Sequence, residues 1–243
     1  MKQSLVLFVF QLICLAAAIA LLAYGTWWHW TTAFFVYVIT GSVGASATFH
    51  RLLSHRSYHA PVWWERLGTV IGTLGGVGSS LTWVAIHRAH HRWVDTERDP
   101  HSPRHKGWVR VQFLIMFNQP NLRLVPDLLR SQFHGWMHNY YWHVHAVYAG
   151  ILWLIDPMAV LYAHLVPAAM LFHAGGFINT MGHSWGWQDH LGRDSSVNNP
   201  VLGVLVWGEG WHNNHHADPA NWRFGQRWWQ IDVAAYLIAL VKK

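Results

Sequence analysis

Long uncharged stretches divide this chain, and their lengths predict helices that cross a membrane. The interval between Lys2 and Arg51 contains no charged residue, and the interval between Arg130 and Arg193 contains only two acids. About 20 apolar residues span a bilayer as a helix, so each interval has room for two crossings. We predict an all-α integral membrane fold with transmembrane helices at about 5–24, 31–49, 140–155 and 158–180.

The first stretch also admits an interpretation as a cleaved signal peptide, because Ala16-Ala17-Ala18 offers small residues for a peptidase. The apolar run continues beyond these alanines to Tyr24, which favours a transmembrane helix. Four crossings bring both termini and all basic segments to one face. Since basic residues gather on the cytoplasmic side of membrane proteins, we expect that face to be cytoplasmic.

The uncharged segment Leu67–Ile86 is nearly long enough to span a membrane and contains five glycines. If it crossed, His87 would emerge on the face opposite His50, which follows the second predicted span. A metal site shared by these histidines rules that topology out. We therefore predict a helix or re-entrant segment at the cytoplasmic interface, with Trp83 near its end.

Three further segments are predicted to lie outside the membrane core. Asp95–Lys106 is polar and contains turn-forming prolines, which predicts a surface connection. Trp108–Phe117 is apolar enough for a helix lying on the membrane. Trp228–Val241 is apolar but too short to span comfortably, so it is also expected at the interface. No repeat or linker divides the chain, and residues 1–243 are predicted to form one domain.

Histidines recur in clusters on the predicted cytoplasmic side. His87–His91 and His212–His216 each place three imidazoles at i, i+3 and i+4, on one face of a helix. His50 and His55 are spaced i, i+5 and would need a helix end or a distortion to converge. One such cluster is as often chance or a solvated face as a site, but two triplets together predict a metal site.

The number of histidines predicts two metal ions rather than one. Imidazole suits zinc, copper, iron and nickel, so ligand type alone does not identify the metal. A structural zinc site needs only four ligands. His183 lies one helical turn after Asn179, where a capping asparagine and an interfacial histidine are the alternative. The nine candidate ligands are His50, His55, His87, His90, His91, His183, His212, His215 and His216.

Other histidines are too far along the chain to join this cluster. At the helical rise, His164 lies about 28 Å and His173 about 15 Å from His183 on the same predicted helix. Metal-bound imidazoles usually donate their second N–H to a carboxylate or carbonyl. Four acids near the clusters are candidates for that role, with a solvated carboxylate as the alternative for each. They are Asp95, Asp99, Glu209 and Asp218.

Charge and cysteine content exclude other classes of function. The net charge of +6 would suit nucleic acid, but basic segments beside apolar spans are expected of a membrane protein, so no nucleic-acid partner is predicted. Cys14 is the single cysteine, which excludes a disulfide framework and a cysteine-ligated iron–sulfur cluster. Any electrons that this protein needs must therefore come from another protein or domain.

The sequence resembles the integral-membrane fatty-acyl desaturases, particularly the Δ9 group, through three histidine boxes. The matching residues are His50-Arg51-Leu52-Leu53-Ser54-His55, His87-Arg88-Ala89-His90-His91 and Gly208-Glu209-Gly210-Trp211-His212-Asn213-Asn214-His215-His216. Order, spacing and neighbouring residues agree from about Thr48 to Asp232, which is most of the chain.

The resemblance implies four transmembrane helices and a cytoplasmic helical cap, at about 50–139 and 181–243, that holds two irons. His183 matches a further histidine ligand, and Asn179 matches an asparagine that acts through water. The implied reaction activates dioxygen and removes hydrogens from adjacent methylenes of an acyl chain linked to CoA, acyl carrier protein or lipid. Water and a cis double bond result, with electrons from a partner such as ferredoxin or a reductase-linked carrier.

The chain departs from the family at Gly175-Gly176, where many Δ9 relatives have Thr-Trp. Those positions lie near the bend of the family's substrate tunnel, so Gly175, Gly176 and Trp83 are candidate tunnel residues. Chain length and double-bond position therefore stay open. The short amino terminus, with no fused cytochrome b5 or ferredoxin segment, favours a bacterial-type enzyme of the inner membrane with a separate donor.

Two alternatives to desaturation follow from the same residues. A related membrane di-iron hydroxylase or monooxygenase would use the same boxes, and only the residues filling the boxes favour desaturation. A membrane protein that binds metal or haem without catalysis is the other alternative. Haem proteins usually place axial histidines inside paired transmembrane helices, whereas these histidines cluster at one face.

Overall fold

A computed structural model describes residues 2–192 and 194–243, and these residues form helices and no β-strand. The prediction of an all-α fold is confirmed. The α-helices are α1 Lys2–Tyr24, α2 Trp27–Ile39, α3 Val62–Leu74, α4 Ser80–Trp93, α5 Pro103–Lys106, α6 Trp108–Phe113, α7 Pro126–Leu129, α8 Gln132–Asn139, α9 Tyr141–Ile155, α10 Val166–Met181, α11 Pro200–Leu205, α12 His212–Ala217 and α13 Val233–Val241. The π-helical segments are Thr40–Ser54 and Leu161–Leu165, and the 3₁₀ turns are Ile115–Phe117 and Leu122–Leu124.

Three helices in the described part of the chain are long and apolar enough to cross a membrane. They cover Ser4–Tyr24, Trp27–Ser54 and Leu161–Met181. These match three of the four predicted spans. The fourth predicted span is α9, which is apolar but has 15 residues, fewer than the roughly 20 that a straight crossing uses. α1, α2 and α10 pack through a core that includes Leu21, Ala33 and Val166.

The second of these helices changes from α- to π-geometry at Thr40 and keeps it to Ser54. In a π-helix each N–H bonds to the carbonyl five residues earlier, and such segments often occur at functional sites. The same bond extends to the end of the first box, where the His55 N–H donates to the His50 carbonyl at 3.2 Å. The distortion that the i, i+5 spacing requires is therefore present.

Leu67–Ile86 is not one helix but the end of α3, a glycine-rich turn and the start of α4. Gly76 and Gly78 in the turn have φ angles of 72° and 103°, which side chains with a Cβ rarely adopt. α3 lies against the π-helix, where a Cβ on Gly44 would come within 2.5 Å of the Gly72 backbone. These small residues let the two backbones meet closely.

The cap differs from prediction in two segments. The polar segment Asp95–Lys106 is not simply a surface connection, because Asp99, His101 and Ser102 are buried. Asp99 accepts the backbone N–H groups of Asp95 and His101, so hydrogen bonds compensate for its burial. Trp108–Phe117 is not a continuous helix, since α6 ends at Phe113 and a 3₁₀ turn follows.

Candidate metal centre

Five histidines from three helical segments converge at one point. Their ligand nitrogens all lie within 4.8 Å of one another. The Nε2 atoms of His55 and His87 are 2.8 Å apart, and His215 Nε2 lies 3.0 Å from those of His50 and His91. The π-helix and the residue that follows it supply two rings, α4 two and α12 one. This five-histidine group is His50, His55, His87, His91 and His215.

A second group of four histidines lies beside the first. His90 Nε2 is 3.3 Å from His216 Nε2, and His212 Nε2 is 3.1 Å from His183 Nε2. The four nitrogens also lie within 4.8 Å of one another, and all four residues are buried. The i, i+3, i+4 spacing thus divides each HxxHH box between the two groups. This four-histidine group is His90, His183, His212 and His216.

Arg88, inside the second box, joins that box to the first. Its guanidinium donates to the carbonyls of Leu53 and Ser54 at the end of the π-helix, at 2.7 and 3.1 Å. It also forms a two-pronged ion pair with Asp127 at 2.8 and 2.9 Å. A planar guanidinium has the five donors that such a junction uses, which lysine lacks. Arg88 therefore fixes the register between His55 and α4.

The third box lies on α12, which is only six residues long and needs tertiary contacts to form. Asn213 donates to the carbonyls of His190 and Ser196, both at 3.1 Å. Asn214 donates to the Phe224 carbonyl at 2.9 Å. The two asparagines between the histidines therefore hold this short helix in place.

Carboxylates orient three of the nine rings. His50 Nδ1 lies 2.6 Å from Glu209, and His90 Nδ1 lies 2.9 Å from Asp99. His216 Nδ1 lies 2.8 Å from Asp194, an acid that the sequence analysis missed. A ring that donates its Nδ1 proton to a carboxylate presents an unprotonated Nε2 to a metal.

The remaining two predicted carboxylates differ from each other. Asp95 lies 3.8 Å from His183 Nδ1 and accepts the Ser195 backbone N–H at 2.6 Å. The hydroxyl of Ser195 is 3.2 Å from the same ring nitrogen. Asp218 is exposed, and its described hydrogen bonds involve only its backbone. The solvated alternative therefore applies to Asp218.

Arg51 and Glu209 form the buried support of the five-histidine group. Arg51 is fully buried, pairs with Asp232 at 2.9 Å and with Glu209 at 3.4 Å, and lies over the Phe224 ring. Burial alone would raise the pKa of Glu209, but His50 and Arg51 beside it lower that pKa to about 2. Glu209 is therefore a carboxylate that can accept the His50 proton. Ser46 also hydrogen bonds to Glu209.

The tautomers of His90 and His216 indicate why the four-histidine group suits a cation. Each neutral ring directs its Nδ1–H at a carboxylate, so each Nε2 carries a lone pair and no proton. The two Nε2 atoms nevertheless lie 3.3 Å apart. Two facing lone pairs repel unless a positive charge lies between them.

Burial keeps these imidazoles in the neutral form that binds metals. Burial, followed by the neighbouring histidines, lowers the pKa of His91 to about 3. Burial also lowers the pKa of His183, although Asp95 and Asp194 oppose the shift. Burial first and nearby histidines second hold the pKa well below its usual value at His55, His87, His90, His212, His215 and His216.

A cavity of about 410 Å³ reaches the histidines. His50, His87 and His212 contribute to its wall, and the rest comes mainly from α1, the turn before α4, the 3₁₀ turn after α6, and α10. Trp83 lines it and stacks on His87, with ring centroids 5.0 Å apart and planes at 17°. No Lys or Arg lines it within the part of the chain that the structure describes. The wall thus suits an apolar ligand.

The remaining predicted tunnel residues also lie in this wall. Gly175 and Gly176 line the cavity, and so does Asn179. A Cβ at Gly175 would meet no atom within 4 Å, whereas one at Gly176 would meet the Gln112 side chain. The two glycines therefore differ, since the first leaves open space and the second accommodates a neighbouring helix.

Sequence reasoning missed Asp194 and His101, which lie in segments whose polarity predicts exposure. His101 is buried, and its ring centroid lies 4.2 Å from that of His90. Asp194 follows no recognisable motif. The one sequence feature that could have indicated a role for His101 is its position in Asp99-Pro100-His101, close after the second box.

The fold and site together define a class of helical protein with helices apolar enough to cross a membrane and with clustered histidines beside an apolar cavity. A sequence model described as fatty acid desaturase matches residues 25–239. The chain belongs to the fatty acid desaturase family, and it is an oxidoreductase that desaturates fatty-acyl chains.

Curated relatives cover most of the chain. The sn-1 stearoyl-lipid 9-desaturase of Synechocystis is 34% identical over 94% of this chain and 74% of its own length. The sn-2 palmitoyl-lipid 9-desaturase of Nostoc is 32% identical over 86% of this chain and 76% of its own. The Delta-9 acyl-lipid desaturase 2 of Arabidopsis thaliana is 34% identical over 91% and 75%, respectively.

Proposed function

We propose that this protein inserts a cis double bond at position 9 of a saturated, lipid-linked acyl chain, using two irons and dioxygen. The observation that carries the proposal is the meeting of nine histidines, seven of them buried, with an apolar cavity. The Synechocystis, Nostoc and Arabidopsis relatives, which are named for acyl-lipid desaturation at position 9, support the substrate and the position.

One iron is held by the five-histidine group and the other by the four-histidine group. The four-histidine group offers one nitrogen fewer, and Asn179 in the cavity wall completes it through a water molecule. Glu209, Asp99 and Asp194 hold the rings that they contact in the tautomer that presents Nε2. When bound, the irons activate dioxygen and remove hydrogen from the acyl chain.

The cavity positions the acyl chain. Its volume is within the range of small-molecule sites, and its lining includes apolar side chains from α1 and α10. Trp83 is held by its stacking on His87, so it defines the wall close to the reacting carbons. The open space at Gly175 lets the chain bend or extend past α10. Chain length and position of the double bond follow from these contacts.

The balance of the reaction requires an external donor. Two hydrogens from adjacent carbons, two electrons and two protons reduce one dioxygen to two waters. The single cysteine forms no iron–sulfur centre, so a ferredoxin or a reductase-linked carrier supplies the electrons. We place four transmembrane helices, including α9, in the bacterial inner membrane. Both termini and the cap at about 50–139 and 181–243 then face the cytoplasm, in a single domain.

The test is the fatty-acid profile of bacteria that express the protein with a compatible donor. Gas chromatography–mass spectrometry, after derivatisation that locates double bonds, should show a monoenoic acid unsaturated at position 9. His90→Ala should show none, because it removes a ring of the four-histidine group. A double bond elsewhere would contradict the position, and a hydroxylated acid would select the monooxygenase alternative.

A further inference from the structure

His101 is a tenth histidine at the site, outside the two ligand groups. It is 4% exposed, and neither ring nitrogen has a hydrogen-bond partner of good geometry. A buried polar group without a partner is costly, and such groups in proteins are nearly always hydrogen bonded. Asn179 interacts with the ring as a side-chain hydrogen-bonding group and can satisfy at most one of the two ring nitrogens, so at least one nitrogen is free to bind a molecule that is not part of the chain.

The surroundings of His101 show where that molecule lies. His101 lines the acyl cavity together with His212 and Asn179. Its ring is 4.2 Å from that of His90, which belongs to the four-histidine group. Burial lowers the pKa of His101, whereas Asp99 and Asn179 raise it, so both polar groups are close to the ring.

The position of His101 is fixed rigidly to the metal ligands. Asp99 accepts the His101 backbone N–H at 3.0 Å and the His90 Nδ1–H at 2.9 Å. It also accepts the Asp95 backbone N–H at 3.0 Å. One carboxylate thus sets the distance between the His101 ring and a ligand of the four-histidine group. His90 Nδ1 carries the proton that it donates to Asp99, so this nitrogen has no lone pair for a further metal ion between His90, Asp99 and His101.

An acyl chain in the cavity cannot satisfy an imidazole, but a water molecule can, since buried waters bond to two to four polar groups. We propose that His101 and Asn179 together hold a water between the cavity and the four-histidine group. This proposal rests on the proposed function. His101 is then a positioning residue, which fixes the water at the metal position that has fewer imidazoles. Without His101, more dioxygen and reductant are consumed for each double bond that forms.

The experiment compares the unaltered protein, His101→Phe and His101→Gln, each loaded with iron. His101→Phe keeps the ring volume without hydrogen bonding, and His101→Gln keeps a donor and an acceptor. His164→Phe is the matched control, because His164 is also a buried histidine with an unpartnered ring nitrogen but lies outside the cavity. The readouts are iron content, thermal unfolding, Mössbauer spectrum and reductant consumed per double bond formed.

We expect His101→Phe to bind both irons and to stay folded, because it keeps the ring volume and leaves the nine candidate ligands unchanged. Double-bond yield should fall by about 10- to 100-fold while reductant consumption continues, as for other residues that orient metal ligands. The signal of one iron should shift in the Mössbauer spectrum. His101→Gln should restore part of the yield and the original spectrum, and His164→Phe should match the unaltered protein in iron content, yield and Mössbauer spectrum.

An unchanged yield and spectrum in His101→Phe would overturn the proposal. Loss of iron from that variant would also overturn it, by making His101 a ligand rather than a positioning residue. If the unaltered protein and His164→Phe both make no double bond, the proposed function fails. The Mössbauer comparison would then still decide whether His101 holds a water at one iron.

Discussion

Two sets of buried histidines in this protein share a nitrogen-to-nitrogen distance for different reasons. The Nε2 atoms of His55 and His87 lie 2.8 Å apart in the five-histidine group. In the helical bundle, His145 Nδ1 and His164 Nε2 are also 2.8 Å apart. The second contact is complete as an N–H···N hydrogen bond, because one neutral ring donates and the other accepts.

The surroundings separate the two sets. His145 and His164 lie among aromatic rings that include Phe10, Tyr141 and Tyr148. No third metal-binding side chain converges on this pair among the residues that the structure describes. At the candidate metal centre, the rings of His50, His90 and His216 direct Nδ1 at a carboxylate, which leaves the lone pair of Nε2 facing inward. A metal site is therefore indicated by several unprotonated nitrogens that face one point, and not by a short nitrogen-to-nitrogen distance alone.

Removing a ring that joins two others should have the largest effect. His215 Nε2 lies 3.0 Å from the corresponding atoms of both His50 and His91, so His215→Ala opens the centre of the five-histidine group. We expect it to abolish double-bond formation and to lose one of the two irons, measured by product analysis and metal content. Retention of both irons with normal product would show that the five rings are not a ligand set.

Removing a carboxylate should have an intermediate effect. Asp99→Asn keeps the size of the side chain but weakens the bond that selects the His90 tautomer. We expect activity or iron affinity to fall by about 10- to 100-fold. Asp218→Asn is the matched control, because Asp218 is exposed and makes no described side-chain bond to a histidine. Equal effects of the two substitutions would show that Asp99 does not act by orienting the His90 ring.

The sequence is sufficient to predict the all-α fold, the apolar helices and the convergence of the histidines. The regular spacing of the second and third boxes carries that information, since it fixes three rings on one helical face. The spacing of the first box also predicted a local distortion, which is the π-helix Thr40–Ser54. These inferences depend on local geometry, which a short stretch of sequence contains.

The partition of the nine rings and the roles of the acids required the structure. Within one box, His90 joins one group and His91 the other, because adjacent residues on a helix point in directions about 100° apart. Asp99 and Asp194 lie in polar connections whose composition predicts exposure. They are buried because hydrogen bonds from distant or backbone groups compensate their charge, and composition does not record such tertiary contacts.

Acid should weaken the metal-free fold, and this tests whether the converging rings are neutral. Burial lowers the pKa of His91 to about 3, whereas an unfolded histidine titrates near 6.5. Below about pH 6.5 the unfolded chain binds a proton that the folded chain does not. The free energy of unfolding therefore falls as the pH is lowered. His91 contributes about 1.4 kcal/mol per pH unit between those two pKa values, and the other histidines whose pKa burial lowers change the stability in the same direction.

The measurement is denaturant unfolding of the metal-free protein in detergent at several pH values from neutral to weakly acidic. The free energy of unfolding should be highest at neutral pH and should fall as the pH is lowered. A His91→Phe variant, which has no ring to protonate at this position, should show a shallower slope. A slope that is flat in both proteins would mean that folding does not lower the pKa of these histidines.

The smallest effect is expected from the histidine pair in the bundle. His164→Phe removes the partner of His145 Nδ1 but also removes the unpartnered Nδ1 of His164, so the two changes partly cancel. We expect the free energy of unfolding to fall by about 1 kcal/mol, with iron content and double-bond yield unchanged. Denaturant unfolding in detergent measures the free energy, metal analysis measures the iron content, and fatty-acid analysis measures the double-bond yield. Loss of iron from this variant would mean that a short nitrogen-to-nitrogen contact marks a metal site even without inward lone pairs.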